Sequence, residues 1–319
     1  MRASLSDNTW GLYCRAWRNF VEFLEIYIKA YPDERVYIDI SLICDYATWR
    51  FQTTGVKGAT IQADVSGINT FLHFYGYGLN LRHGNSDPLI RLCRGIDRVR
   101  AVYDIGRQSI YRRALCMDML NAMLKYLPLS DSFTRTLRGV ILYGHESGFR
   151  SHNFIYTSKL DFGRMKNILI YPNTEDVTHL LIQLPHGKTH QVDSAEGESR
   201  ILKCRCEFGD LCAVHEVTAL IKDRYNSGKC GDEPIFQFED GTPVTYYDLK
   251  ETLEKLCILF GLNPRHYTPH CLRIGCATDM HLLGHTLPEI MKFMGWTSRK
   301  SAMKYIRPNN PDFVYFHML

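Results

Sequence analysis

The sequence predicts a mainly α-helical protein with a small antiparallel β-sheet, divided into two domains. Three observations predict this. Apolar residues recur at helical spacing along most of the chain. One short region after Gly148 is rich in branched apolar residues. The helical periodicity breaks once, between Asp104 and Tyr111.

Leu12, Trp17, Phe20, Phe23, Leu24 and Tyr27 place a helix near the start, and Ile61, Val65, Ile68, Phe71 and Leu72 place another over Thr60 to Phe74. Pro32, Gly76 and Gly78 punctuate them. A third helix is expected from Pro88 to Tyr103, with proline in its first turn. The break then separates a helical domain, residues 1–104, from a linker, 105–111, and a second domain, 112–319. A new helical pattern starts around Ala114, and two helices run to near Gly148. Asn167 to Tyr171 and Val177 to Leu184 read as strands, with a turn at Pro185-His186-Gly187. Helices resume near Ala213 and continue to the end.

The chain has 319 residues, 45% hydrophobic and 23% charged, the balance of a globular protein with real cores. No apolar run approaches the roughly 20 residues of a membrane helix, and the start, MRASLSDNTWGLYCRAW, lacks a signal-peptide core. The expected location is inside the cell, in the nucleus if the host is eukaryotic, with no membrane partner. Eleven scattered cysteines fit a reducing compartment. The net charge of +4 is modest but unevenly spread. From Arg82 to Arg113 there are eight arginines against three aspartates, and from Lys292 to Arg307 five basic residues and no acid. Such patches hold polyanions. Arg91, Arg94 and Arg98 share one helix face, and together with Arg112, Arg113 and Lys300 they are the candidate contacts to a phosphate backbone.

The strongest motif is Thr268-Pro269-His270-Cys271-Leu272-Arg273, followed by Gly295-Trp296 and by Tyr305, nine positions after the tryptophan. Upstream, Glu146-Ser147-Gly148-Phe149-Arg150 ends an expected helix. In this order and spacing the residues resemble the signature of the tyrosine recombinase and integrase family. There a His-x-Leu-Arg box, a glycine between helices, a Gly-His or Gly-Trp pair and a tyrosine follow an arginine box. Leu283-Gly284-His285 mimics the Gly-His pair, but nine positions on stands Met294. Gly284 therefore fits the glycine between helices, and Trp296 fits the other slot. The texture, including Leu211-Cys212-Ala213-Val214, is similar to recombinases of eukaryotic mobile elements, such as cryptons and tyrosine-recombinase retrotransposons. Asn153 departs from the family, which usually has an acid there.

The resemblance implies a clamp around double-stranded DNA, made of a helical core-binding domain and a catalytic domain. It implies Tyr305 as nucleophile, Arg150 and Arg273 as phosphate-binding forks, and His270 as a partner of the tyrosine or the phosphate. Trp296 would be an indole donor and buttress, and Lys188 on the strand hairpin the proton donor, with Lys166 and Lys203 as competitors. The chemistry suits these types. Guanidinium forks stabilise phosphate charge, a tyrosine can store the bond energy as a phosphotyrosine, and a lysine can protonate the leaving oxygen. The scheme needs no metal and no cofactor. The implied function is site-specific cleavage and rejoining of DNA through a 3′-phosphotyrosine, for integration or excision of a mobile element, by tetramers on paired sites. The alternatives are a type IB topoisomerase-like enzyme and a non-catalytic DNA-binding protein derived from a recombinase.

Two features stand apart. Cys204, Cys206, Cys212 and His215 could hold zinc, but the spacing is not that of a standard knuckle, and free thiols are the default. After Tyr305 the tail IRPNNPDFVYFHML is apolar beyond two prolines that would stop a tyrosine-bearing helix. It either folds back or docks on a neighbouring subunit, and docking in trans is the expectation.

Overall fold

The computed structural model describes residues 5, 7–78, 87–103, 111–156, 163–184, 198–206 and 211–313. Lys188, the Pro185-His186-Gly187 turn, most of the expected linker and the last six residues lie outside the described residues. The chain divides into two compact units, 1–109 and 110–319.

In the first unit α1 (Asp7–Ala30), α2 (Ile40–Thr54), α3 (Gly58–Phe74) and α4 (Pro88–Val102) pack together. Their starts are chemically marked. The Asp39 side chain accepts from the Leu42 N–H at 2.9 Å to open α2, and Asp87 accepts from Leu89 at 2.8 Å to open α4, with Pro88 in its first turn. Aromatic rings fill the core. Phe20 and Phe23 of α1 meet Tyr46 of α2 edge-on, at 5.4 and 5.7 Å between centroids. Helix α2 is not among the sequence expectations, although its buried Leu42, Ile43, Tyr46 and Ala47 recur at helical spacing. On α4, Leu89, Cys93 and Ile96 are buried, while Arg91, Arg94 and Arg98 are exposed.

In the second unit α5 (Met117–Leu124) begins three residues later than the expected start at Ala114. Ala114 to Cys116 form a buried stretch whose Leu115 N–H donates to Cys271. Helix α6 (Ser132–Glu146) runs through the core, buried continuously from Gly139 to Glu146. Its Arg138 pairs at 2.5 Å with Glu216 of α7 (Ala213–Asn226). Strands β1 (Ile168–Tyr171), β2 (His179–Leu184) and β3 (Glu198–Lys203) form an antiparallel sheet in the order β1-β2-β3. The expected strands correspond to β1 and β2, and β3 is additional. Leu180, Ile182 and Leu184 of β2 point into the core. Their partners are Leu202, Arg200 and Glu198, so an arginine occupies an inward register position.

The remaining helices are α8 (Tyr246–Leu259), α9 (His270–Leu282), α10 (Leu287–Met294) and α11 (Arg299–Ala302). Gly284 lies between α9 and α10, as expected. One expectation is corrected. Helix α11 ends at Ala302, and Tyr305 lies in the turn after it, with its N–H donating to Ala302 at 2.9 Å. No tyrosine-bearing helix reaches Pro308, because a single turn capped by Ser298 has too few bonds to propagate. The start of the tail, through Phe313, lies on its own unit; the apolar residues 314–319, on which the docking expectation rests, lie outside the described residues. The Asn310 side chain donates to the Ala114 carbonyl at 3.1 Å, Phe313 packs on the core, and the Asp312 carboxylate takes a two-pronged bond from Arg113 at 2.5 Å and another from the Tyr267 hydroxyl.

The tightest approach in this unit is between α9 and the Leu115 segment. A Cβ placed on Gly275 would lie 1.8 Å from the Leu115 carbonyl oxygen. Gly275→Ala is expected to cost about 3 kcal/mol of stability, since backbone must move on both sides. Gly95 in α4 meets nothing within 4 Å, and Gly95→Ala should instead stabilise by about 0.5–1 kcal/mol. Denaturant unfolding of the two variants distinguishes these signs. A Gly275→Ala protein as stable as the parent would disprove the close approach.

Candidate active site

The site is built on the turn that ends α6. Beyond Glu146 the chain reverses through Gly148, with φ +57, a conformation that favours glycine. A Cβ there would also press on the Met294 sulfur at 2.7 Å. Three side chains hold this turn. The Glu146 carboxylate accepts from the Ala213 N–H at 3.0 Å, capping the start of α7. Arg200 of β3, 4% exposed, donates to the Ser147 carbonyl and stacks over Phe149, 4.1 Å from its centroid. Arg273 of α9, 2% exposed, donates to the Gly148 carbonyl and, at 2.7 Å, to the Met294 carbonyl. Arg150 emerges from this turn half-buried, and its side chain makes no hydrogen bond or ion pair with a described residue.

Arg150 faces an open cleft of about 380 Å³, lined also by Trp296, Ser298, Ser301, Lys304 and Tyr305. Around Tyr305 three rings meet. Its centroid lies 4.6 Å from Trp296 and 5.3 Å from His270. The Arg273 guanidinium lies 5.1 Å from the centre of the Trp296 ring. The Thr278 hydroxyl of α9 lies 3.3 Å from the Tyr305 carbonyl and accepts from the Arg307 N–H at 3.1 Å, so the backbone just after the tyrosine side chain is fixed to α9. Behind the site, His145 of α6 meets Asp279 of α9 at 3.0 Å. Burial opposes the charge on Asp279, but His145, Cys116 and the Met117 N–H outweigh it and hold its pKa below the usual value.

His270 stands at the first position of α9 with part of its surface open to solvent. Desolvation of its ring, and then the positive charges of Arg273, Arg150, Arg307 and Arg112, lower its pKa to about 4. The imidazole is therefore neutral at neutral pH and able to accept a proton.

Of the six residues expected to act, the structure brings five together: Arg150, His270, Arg273, Trp296 and Tyr305. Lys188 lies outside the described residues. Its competitor Lys166 is paired with Asp232, and Lys203 is exposed at the end of β3, the end opposite the Leu184–Glu198 pair that flanks the 185–197 connection. Arg273 differs from the expectation of an open phosphate fork, because two of its donors hold backbone carbonyls. Arg113 is engaged by Asp312, and Arg112 donates to the Arg265 carbonyl at 2.5 Å while also facing His270 electrostatically. Lys300 is exposed on α11. Sequence reasoning missed Arg200, which stands on a strand it did not expect, and Lys304, seen only as one of a basic run.

The cleft lined by Arg150, Trp296, Lys304 and Tyr305 thus adjoins His270, whose ring centroid is 5.3 Å from that of Tyr305. Residues 189–311, a stretch that holds His270, Arg273, Trp296 and Tyr305, match the phage integrase family. Among solved structures it resembles the XerH site-specific recombinase bound to palindromic difH substrate, a post-cleavage complex, with a TM-score of 0.63 and 15% identity over 97% of this chain and 79% of that one. A lambda integrase dimer bound to a COC′ core site matches with a TM-score of 0.54 and 14% identity, over 95% of this chain and 72% of that one. At these identities the likeness speaks for the fold. No curated protein matches the chain. Among the described residues no helix is long and apolar enough to cross a membrane.

The electrostatics of His270 make a test. Its folded pKa lies below the ordinary 6.5. As pH falls from 6.5 toward 4, the unfolded chain takes up the proton first, so this group erodes stability in that window and is silent above it. Titration of the His270 ring by NMR should show a midpoint well under 6.5, and Arg150→Ala should move it upward. A midpoint at or above 6.5 would remove the cationic field from the account.

Proposed function

We propose that this protein is a site-specific recombinase that cleaves and rejoins double-stranded DNA through Tyr305. The observation that carries the reading is the Tyr305 ring, 4.6 Å from Trp296 and 5.3 Å from His270, lining a cleft with Arg150. In the proposed reaction the Tyr305 hydroxyl attacks a DNA phosphorus, and its proton passes to neutral His270. A 3′-phosphotyrosine forms, and the 5′ oxygen leaves, taking a proton from Lys188. Attack by a 5′ hydroxyl then reverses the step and rejoins the strand. Arg150 meets the non-bridging oxygens directly. Arg273 holds the two turns, at Gly148 and Met294, that carry Arg150 and Trp296.

Residues 1–104 would form the core-binding domain, with Arg91, Arg94 and Arg98 of α4 on DNA phosphates, and Arg112 and Lys300 would add contacts on the catalytic domain. One tyrosine cuts one strand, and exchange of two duplexes needs four cuts, so we propose a tetramer on paired sites. Integration or excision of a mobile element, in the nucleus of a eukaryotic host, is the role in keeping with the sequence texture.

Tyr305→Phe should bind DNA as the parent does and form no covalent adduct on a nicked suicide substrate, where the parent accumulates one. An adduct with the variant would assign the nucleophile elsewhere. A parent that binds but never forms one would make the protein a non-catalytic DNA binder.

Replacing Arg91, Arg94 and Arg98 together by alanine should weaken binding to every sequence and lower the slope of log affinity against log salt, by about 0.9 for each phosphate no longer neutralised. An unchanged slope in a binding titration would take this face out of the interface.

A further inference from the structure

We propose that Cys204, Cys206, Cys212 and His215 bind one zinc ion in a closed site that clips the end of β3 to the start of α7. On spacing alone these residues read as free thiols, and the fold adds what spacing lacks. Cys204 directly follows β3, Cys206 lies two residues on, Cys212 caps α7, and His215 stands one turn into the same helix. Their three sulfurs and one ring nitrogen all lie within 4.8 Å of one another, and no other such group of ligands occurs among the described residues. The Cys206 and Cys204 sulfurs lie 3.2 and 3.7 Å from His215 Nδ1. In a tetrahedral zinc site with bonds of about 2.3 Å to sulfur and 2.0–2.1 Å to nitrogen, ligand atoms sit roughly 3.5–3.8 Å apart. The four ligands are therefore near their places already.

The chemistry selects the ion. Three thiols and an imidazole suit zinc over magnesium or calcium, which take oxygen. Four protein ligands leave no open position, the pattern of a structural rather than a catalytic site. Binding sends three thiol protons to water and requires no oxidant or reductant. The backbone around the ligands is anchored independently. The Cys204 N–H donates to Thr178 at 2.8 Å, the Cys206 N–H points to the Cys204 sulfur at 3.5 Å, and the Leu211 N–H donates to the Asn121 side chain at 3.2 Å. The clip also adjoins the active-site turn. Ala213, next to Cys212, is held by Glu146, and β3 carries Arg200, which holds Ser147. Zinc here would fix two of the three supports of the turn that presents Arg150.

The test is the metal content of the full chain, purified under reducing conditions without added metal. Atomic emission should find one zinc per chain. Cys206→Ser and His215→Ala should lose it, while Cys230→Ser, an exposed thiol outside the cluster, should keep it. If the cluster variants fail to fold, the parent still decides. Exchange of its zinc for cobalt should produce the visible bands and sulfur charge-transfer absorption of a tetrahedral thiolate site. A folded parent that contains no zinc, and that shows no such bands with cobalt, would overturn the proposal. So would full zinc content in the folded Cys206→Ser and His215→Ala proteins.

Discussion

The active region depends on two buried guanidinium groups holding two successive carbonyls. Arg200 takes Ser147 and Arg273 takes Gly148, where α6 ends. The last carbonyls of a helix have no partner within it, and that end carries partial negative charge. A buried arginine is costly unless its charge is compensated. At the end of α6 the two needs cancel, since the helix supplies acceptors and the arginines supply donors. Losing either arginine would leave a buried carbonyl unsatisfied, at about 1–3 kcal/mol, and would free the backbone from which Arg150 projects.

The same arrangement sets the electrostatics outside. With Arg273 and Arg200 engaged inward, Arg150 faces the cleft with Lys304 beside it. Desolvation, and then the four arginines around His270, keep that ring neutral. A site that is cationic but holds a neutral base suits the proposed reaction, in which the field would bind a phosphate and the imidazole would take the phenol's proton.

Much of this is readable before the fold is known, and the physical reason differs by element. Helices α1, α3 and α4 announce themselves because each buries one stripe and exposes the other. Helix α2 does so less clearly, because apolar Ile40, Cys44, Trp49 and Phe51 lie outside its fully buried stripe. Strand β3 is the least readable. One inward position is taken by Arg200 while Ile201 is exposed, so the alternation that marks β2 is broken. Tyr305, His270, Arg273 and Arg150 are recognisable by order and spacing, but the role of Arg273 is not. Hydrogen bonds from a side chain to distant carbonyls leave no trace in local pattern. The Cys/His quartet is visible as residues and not as a cluster, because its proximity is made by β3 and α7 meeting.

The segment bearing Tyr305 is pinned on both sides. Before it, the Met294 carbonyl is held by Arg273. After it, Asn310 is bonded to Ala114, and Asp312 to Arg113 and Tyr267. In the middle, Thr278 fixes the tyrosine backbone. A span tied at three points has almost no slack, so its side chain can pivot but not travel. For this tyrosine to serve the active site of a neighbouring molecule, the Asp312 clasp would have to be undone first. On the proposed function, the clasp would act as a tether that keeps each Tyr305 at its own cleft.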